Sequence, residues 1–421
     1  MLKFLCLSTL KHNSAYYEAT EWLFEQFPSY QFLGSKAFKP TLTNSKKISK
    51  FLNSPENSLN LIHIAGSNGK GSTCSMLASV LTEAGYKVGL FTSPHIKDYT
   101  ERIRINGVEI PKSYVTNFVE RIKTGHFDFT PSFFEITFGL ALDYFKAESC
   151  DICIIETGLG GKFDATNIIN PIISVITNIS LEHTVMLGDT IELIAKEKAG
   201  IIKSKTPVVL GEMKNDAKKI FASVAIKLES KIIESDKFRH YLKQFELPLL
   251  GEYQAENLVT TLACLAELNQ LDFKSNDAVI QKGLNNISKN TGFFGRIQVI
   301  SEHPKIIYDV SHNIEGISAS LKTIIETNTG RLHVIFGTSA DKDLHSSLKL
   351  FPLNSNMYFT EFTNSRSTKN EDFKREVKLV NFSSKKYFTN PKQALKSAKD
   401  CASRTDTIII IGSFFLISDF L

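Results

Sequence analysis

The run His63-Ile64-Ala65-Gly66-Ser67-Asn68-Gly69-Lys70-Gly71-Ser72 combines glycines, a lysine and hydroxyls in a set suited to wrapping a polyphosphate. Glycines let backbone N–H groups close on phosphate oxygens, and the start of a following helix adds a positive dipole end. Lys70 supplies a point charge for the β- and γ-phosphates, and Ser72 can reach a divalent cation. The GxxxxGK[ST] spacing is not met, because Ile64 stands at the first glycine position and Gly71 separates Lys70 from Ser72. A generic loop is the alternative. With about 7% for each of Gly66, Gly69, Lys70, Gly71 and Ser72, a chain of this length shows the pattern by chance with a probability on the order of 10⁻³. Nucleotide binding is the stronger reading.

In open parallel sheets ligands sit beyond the carboxyl ends of the strands. The β-rich run Val88–Phe91 is followed by Thr92-Ser93-Pro94-His95, Ile152–Ile155 by Glu156, and Ile172–Ile179 by Ser180-Leu181-Glu182-His183. Singly, Ser93 can cap a turn, Glu156 can cap a helix and His183 can be an ordinary loop histidine. Together, Ser72, Ser93, Glu156 and His183 form a ligand set suited to Mg²⁺ shared with ATP phosphates, with Mn²⁺ also acceptable. Further on, Asp189–Gly200 reads as a helix with Ile191, Ile194, Ala195 and Lys198 on one stripe. Lys198 then points inward, so it either snorkels or has a chemical reason for its burial.

These residues need a scaffold, and the chain supplies β-runs alternating with helical patterns from Leu59 onward: Leu59–Ile64, Ser75–Ala84, Val88–Phe91, Ser132–Lys146, Ile152–Ile155 and Ile172–Ile179. A second alternating set has strands at Lys305–Asp309, Leu332–Phe336, Met357–Thr360 and Thr407–Ile411 and a helix at Glu315–Glu326. The fold class is α/β: a P-loop-type domain with a mostly parallel sheet, residues 1–290, followed by a smaller Rossmann-like α/β domain, residues 296–421. Asn285–Gly295, polar and aperiodic, is read as the hinge. A chain of 421 residues exceeds one growing core, which agrees with two domains. A hydrophobic share of 42% and a charged share of 22% exclude disorder, and 49 Lys+Arg against 44 Asp+Glu, with no concentrated basic tract, gives no nucleic-acid binder. Cys150 and Cys153 enter a β-run without a second CxxC, so they read as core residues, and a reducing cytoplasm is the expected setting. Met1–Leu10 is apolar but lacks a cleavage site, and the tail Thr407–Leu421 is too short to span a bilayer.

The chain resembles the folylpolyglutamate synthase/dihydrofolate synthase family through HIAGSNGKGS, FTSPH with ERI behind it, SFFEITF, ETGLGGKFDATN, ITNISLEHTVMLGDT, IAKEKAGIIK, LLGEYQAENL, FGRI, YDVSHNIEG, FGTSADKD and IIIIGSFFL. The resemblance implies that Gly66, Ser67, Asn68, Gly69, Lys70, Gly71 and Ser72 bind ATP, and that Ser72, Ser93, Glu156 and His183 ligate Mg²⁺. It also implies that Lys198 is carbamylated and holds a second ion. By the same carry-over Asn257 lies by the adenine, Arg296 reaches phosphate, Asp309 and His312 act on the nucleotide side of the second domain, and Phe134 and Asp164 face the pterin. Dihydropteroate, reduced folates and L-glutamate are the implied substrates, and a monomer is the expected state. Asp309-Val310-Ser311-His312-Asn313-Ile314 departs from the family's Asp-Gly-Ala-His-Asn-Pro, which puts that turn's geometry in doubt. Glu182 replaces the usual Asp and Lys162 the usual Arg.

The implied reaction phosphorylates a carboxylate and lets the glutamate amine displace the phosphate, with closure about Asn285–Gly295 expected to complete the geometry. Both the first addition, to dihydropteroate, and later additions, to reduced folates, are expected, with one activity alone as the alternative. A muramyl-peptide ligase is the nearest rival. It usually reads Gly-Lys-Thr where this chain has Gly69-Lys70-Gly71, and carries a nucleotide-sugar domain that the stretch before the loop is too short to hold. A plain nucleotide switch or kinase leaves the second domain unexplained.

Overall fold

The computed structural model describes residues 2–27, 40–125 and 127–421, with the side chains of 2–13 left aside. The chain forms two compact units, Met1–Glu246 with Glu256–Phe293, and Leu247–Ala255 with Phe294–Leu421. Sequence periodicity does not reveal that the short stretch 247–255 groups with the second unit.

The first unit is built on an eight-stranded sheet in the order β4-β3-β2-β5-β1-β6-β7-β8. Its strands are β1 (Leu61–Ala65), β2 (Val88–Phe91), β3 (Ile103–Ile105), β4 (Val108–Glu109), β5 (Ile152–Glu156), β6 (Ile173–Ile176), β7 (Val208–Leu210) and β8 (Ile232–Glu234). From β2 to β8 every pairing is parallel, while β3 and β4 add an antiparallel edge. The strands β1, β2, β5 and β6 are buried along their whole length, as central parallel strands covered on both faces require. Helix α1 (Leu2–Gln26) and α2 (Thr43–Phe51) precede the sheet. They are followed by α3 (Lys70–Glu83), α4 (Lys112–Thr124) and α5 (Phe133–Ala147), whose start carries a capping box between Ser132 and Glu135. After β6 come a single turn α6 (Thr184–Leu187) and α7 (Ile191–Lys198), the latter capped by the Thr190 side chain on Leu193 N–H. Then follow α8 (Asn215–Lys227), α9 (Glu252–Leu268), α10 (Asp277–Asn285) and α11 (Ile287–Thr291).

The expected hinge is corrected in part by α11. Ile287 and Thr291 are buried, and the Asn286 and Asn290 side chains donate to Glu83 Oε1 of α3, each at 2.9 Å. Their polar character serves tertiary hydrogen bonds rather than a solvated linker, and Gly292, in a left-handed conformation, ends the helix.

The second unit carries a six-stranded sheet, β13-β12-β11-β14-β10-β9. Here β9 is Gln298–Glu302, β10 Lys305–Asp309, β11 Leu332–Phe336, β12 Asn356–Thr360, β13 Ser384–Phe388 and β14 Thr407–Ile411. All pairings are parallel except β9 against β10. The crossover helices are α12 (Ile314–Thr327), α13 (Leu344–Leu348), α14 (Asn370–Val377) and α15 (Pro391–Cys401), and α16 (Phe414–Ser418) follows β14. Both units are thus α/β with mainly parallel sheets. Among the described residues no helix is long and apolar enough to cross a membrane. Cys150 and Cys153 are buried free thiols, as core residues should be.

Candidate functional site

Four neighbouring strands of the first unit, β2, β5, β1 and β6, end along one rim. The registers Ile64 to Glu156 and Ala65 to Ile176 fix which residues leave the sheet together. The glycine loop leaves β1 and runs directly into α3, which starts at Lys70 rather than at Ser75, so Lys70, Gly71 and Ser72 form the helix's first turn. Its unpaired N–H groups are those an anion would meet.

The segment after β6 staples this loop. Asn178 takes Ser67 N–H on its backbone carbonyl at 3.0 Å and Asn68 N–H on its side-chain oxygen at 2.7 Å. Thr177 Oγ1 donates to Asn68 O at 2.6 Å, and the Ser67 hydroxyl links both ways to the Ser180 backbone. Two glycines are obligatory here. A Cβ on Gly66 would stand 1.9 Å from Thr177 Oγ1, and one on Gly69, whose φ is +83°, would stand 2.1 Å from Asn257 Oδ1. Asn257 therefore lies against the loop, the side on which a bound nucleoside is expected. Lys70 Nζ donates to Gly66 O at 2.8 Å and to Ser67 O at 3.2 Å, so the ammonium hangs over the loop's own carbonyls.

Glu156 is 4% exposed at the end of β5, accepts Ser93 N–H on Oε2 at 3.1 Å, and has both oxygens 3.9 Å from where a Gly71 Cβ would be. It therefore fronts the first turn of α3, with buried Ser72 on that turn. His183 adopts a left-handed conformation, φ 48°, at the start of α6, with Nε2 4.0 Å from Glu182 Oε2. A carboxylate, two hydroxyl-bearing residues and an imidazole about the phosphate loop fit a hard divalent cation that also takes phosphate oxygens. Among the described residues no group of three or more His, Cys, Asp or Glu is placed to hold a metal.

Lys198 ends α7 with 1% exposure, and its Nζ donates to Glu182 Oε1 at 2.7 Å and to Gly66 O at 2.9 Å. It does not snorkel. Glu182 is the residue sequence reasoning undervalued. Burial works against its charge, yet the Lys198 and Lys70 ammonium groups and His183 outweigh it and hold the carboxyl down to about 2. Burial lowers the Lys198 amine below its ordinary range, partly countered by Glu182.

The two residues expected to face a pterin behave differently from one another. Asp164 is 4% exposed and spends its oxygens on Leu159 N–H, Thr166 N–H and the Thr166 hydroxyl. This carboxylate organises the loop after β5, and burial raises its pKa. Phe134 is half-buried, its ring against Gly158, where a Cβ would come within 2.5 Å, and against Phe91 at 5.6 Å.

In the second unit Asp309, expected beside the nucleotide, is fully buried and accepts from Ile297 N–H at 2.9 Å, Ser311 N–H at 2.7 Å and Ser320 Oγ at 3.1 Å. It shapes the loop that leaves β10. That loop holds without the family's Gly and Pro, because Asn313 caps α12 through Gly316 N–H at 2.7 Å and Val310 N–H bonds Gly295 O at 2.9 Å. His312 Nδ1 lies 3.1 Å from Val310 O, which can only accept, so Nδ1 carries a proton. Arg296 and His312 both pack on Phe414, at 5.3 and 5.6 Å, which brings these two residues together around a ring sequence reasoning did not single out.

Comparison with known proteins gives a consistent picture. The Mur ligase middle domain family matches residues 64–265, and the Mur ligase glutamate ligase domain family matches residues 295–414. The dihydrofolate synthase/folylpolyglutamate synthase of Bacillus subtilis is 30% identical over 96% of this chain and 98% of its own length. The structure of Escherichia coli FolC in complex with DHPP and ADP has a TM-score of 0.82 at 29% identity, covering 96% of each chain. A bifunctional folylpolyglutamate synthase/dihydrofolate synthase with Mn, AMPPNP and L-glutamate bound has a TM-score of 0.78 at 28% identity, covering 91% of this chain and 94% of that one.

Proposed function

The chain belongs to the dihydrofolate synthase/folylpolyglutamate synthase family, and from that premise we propose that it spends ATP to join L-glutamate to dihydropteroate, giving dihydrofolate, and to reduced folates, giving folylpolyglutamates. One observation carries this reading: Glu156 stands against Gly71 on the first turn of α3, the turn that also holds Lys70 and Ser72, while the Glu182–Lys198 pair bonds the same loop from the segment after β6 and from α7.

A carboxylate is a poor electrophile. One of its oxygens attacks the γ-phosphorus of ATP, the bond from that phosphorus to the β-phosphate oxygen breaks, and ADP leaves. The glutamate amine then displaces phosphate from the mixed anhydride. Bringing two unit anions to about 4 Å costs about 4 kcal/mol at an effective dielectric of about 20. Lys70 offsets this at the phosphate loop, and Arg296 is assigned the same task in the second unit. His312 is assigned to meet the transferring phosphoryl or the incoming amine. Ser72, Ser93, Glu156 and His183 are the residues that would hold Mg²⁺. When bound, the ion neutralises phosphate charge.

The finer reading has two ions, the second held by a carbamate on Lys198. What supports it is a buried amine whose proton affinity is lowered by burial, since the uncharged amine is the form that adds CO₂. The carbamate would be an anion facing Glu182 and would need a cation to offset it. Mass spectrometry of a Lys198 peptide from gently digested active enzyme should show the added CO₂; a bare amine at full activity rules the carbamate out. A monomer acting in the cytoplasm is part of the proposal, and light scattering tests the monomer.

Release of ADP with glutamate and either dihydropteroate, tetrahydrofolate or a muramyl nucleotide tests the assignment. Turnover is expected with the first two. Turnover with the muramyl substrate alone would overturn it.

A further inference from the structure

Arg102 is a buried cation with no ion-pair partner among the described residues, although Glu101 and Glu156 lie near enough to favour its charge. It ends the 3₁₀ turn Tyr99–Arg102, and its carbonyl accepts Thr92 N–H at 3.0 Å, next to Ser93. The residue is 3% exposed. Its guanidinium makes one hydrogen bond, from Nε to His95 Nδ1 at 2.8 Å, which fixes His95 as an acceptor with its proton on Nε2. The carboxylates nearest in sequence are engaged elsewhere. Glu101 accepts the N–H groups of Ile96, Lys97 and Asp98, and Asp98 takes the Tyr16 and Thr100 hydroxyls and the Lys112 ammonium.

Among the described residues no carboxylate pairs with Arg102. A desolvated, unpaired guanidinium is costly, and its planar fork of donors matches a carboxylate. Among the described residues neither Nη makes a hydrogen bond. The surroundings are aromatic. Phe133 lies 5.4 Å below the guanidinium, Phe24 stacks on Phe133 at 4.5 Å, and Tyr99 meets Phe133 edge-on at 5.6 Å.

We propose that Arg102, steered by His95, binds the carboxylate of the acceptor: its two Nη groups take both oxygens of an aromatic acid of the pteroyl class, while the packed Phe24, Tyr99 and Phe133 rings hold the guanidinium in place. The proposal rests on the ligase reading and names where that reaction's acid docks. Arg102 makes and breaks no covalent bond. It holds the carboxylate and offsets its charge as the γ-phosphoryl approaches, while His95 is a positioning residue.

The test compares calorimetric binding of dihydropteroate and of its carboxamide to the wild-type chain and to Arg102→Gln, with ADP binding and glutamate-dependent turnover measured alongside. The wild-type chain should prefer the acid by about 10- to 100-fold, the scale of a charge-assisted paired contact. Arg102→Gln should bind acid and amide alike, with ADP affinity unchanged. Retention of the acid preference in Arg102→Gln overturns the proposal. Should Arg102→Gln unfold by circular dichroism, Arg102→Lys decides: most of the preference lost, with acceptor KM rising more than kcat falls, supports it, and full retention overturns it. A wild-type chain that neither binds dihydropteroate nor forms glutamylated product fails the ligase reading and this inference together. A wild-type chain that turns over while the variant keeps the acid preference fails the inference alone.

Discussion

The buried Glu182–Lys198 pair makes the sharpest demand at the scale of single residues. With Lys198 unmodified, Glu182→Ala leaves an ammonium at 1% exposure without a counter-charge, which should cost about 3–5 kcal/mol in urea unfolding. Its pH dependence has a definite sign. The native carboxyl titrates at about 2 against an ordinary 4.5, so the native state binds fewer protons in that window. The contribution is complete above 4.5 and is lost as pH falls through 2. The stability gap between wild type and Glu182→Gln should therefore stay level near neutrality and shrink steadily on acidification below that upper bound. A gap that widens in acid would contradict the pairing. Lys70 makes a different prediction, because among the described residues its ammonium donates to carbonyls of its own loop. Lys70→Ala should remove ADP release while leaving the circular dichroism spectrum and melting curve nearly unchanged, and residual turnover near wild type would take Lys70 out of the phosphate site.

Among the elements, the junction of β1, its loop and α3 depends on two glycines and on the strand beside it. Gly69→Ala puts a methyl into Asn257 and forces a left-handed backbone on an L-residue, so it should destabilise by more than about 1 kcal/mol and weaken ADP binding measured by calorimetry. Gly66→Ala meets mainly the Thr177 hydroxyl, so adding Thr177→Ala should recover part of the loss; equal losses in single and double variants would show that the contact is not the cause. Much of this rim could be read from sequence, because long apolar runs such as Ile152–Ile155 end abruptly in Glu156 and such endings mark the carboxyl edge of a parallel sheet. The short edge elements were harder. Strand β13 reads Ser-Lys-Lys-Tyr-Phe and β8 has only three residues, so neither shows a buried pattern. The β3–β4 hairpin was in fact signalled by Asn106-Gly107, whose positive φ values of 46° and 82° suit a tight hairpin turn. Asp164 and Asp309 are read as ligand contacts from the family resemblance, and their places in the hydrogen-bonded loops were not legible in the sequence. Only tertiary structure reveals that backbone N–H groups and hydroxyls use their oxygens.

For the whole molecule, two units of unequal size each gather their own set of polar residues: the first has the glycine loop and the polar strand ends, and the second has Arg296 and His312 about Phe414. The division was legible in outline from the two alternating sets of strands and helices. The excursion 247–255 was not, because contacts such as Tyr253 near Asp309 and Arg296 join residues distant in sequence. The account's central claim is that the acceptor's carboxylate receives the phosphoryl group before glutamate arrives. Dihydropteroate labelled with heavy oxygen in its carboxylate, turned over with ATP and glutamate, tests this directly: phosphate released in each turnover should carry one labelled oxygen. Unlabelled phosphate accompanied by labelled amide product at full enrichment would contradict it.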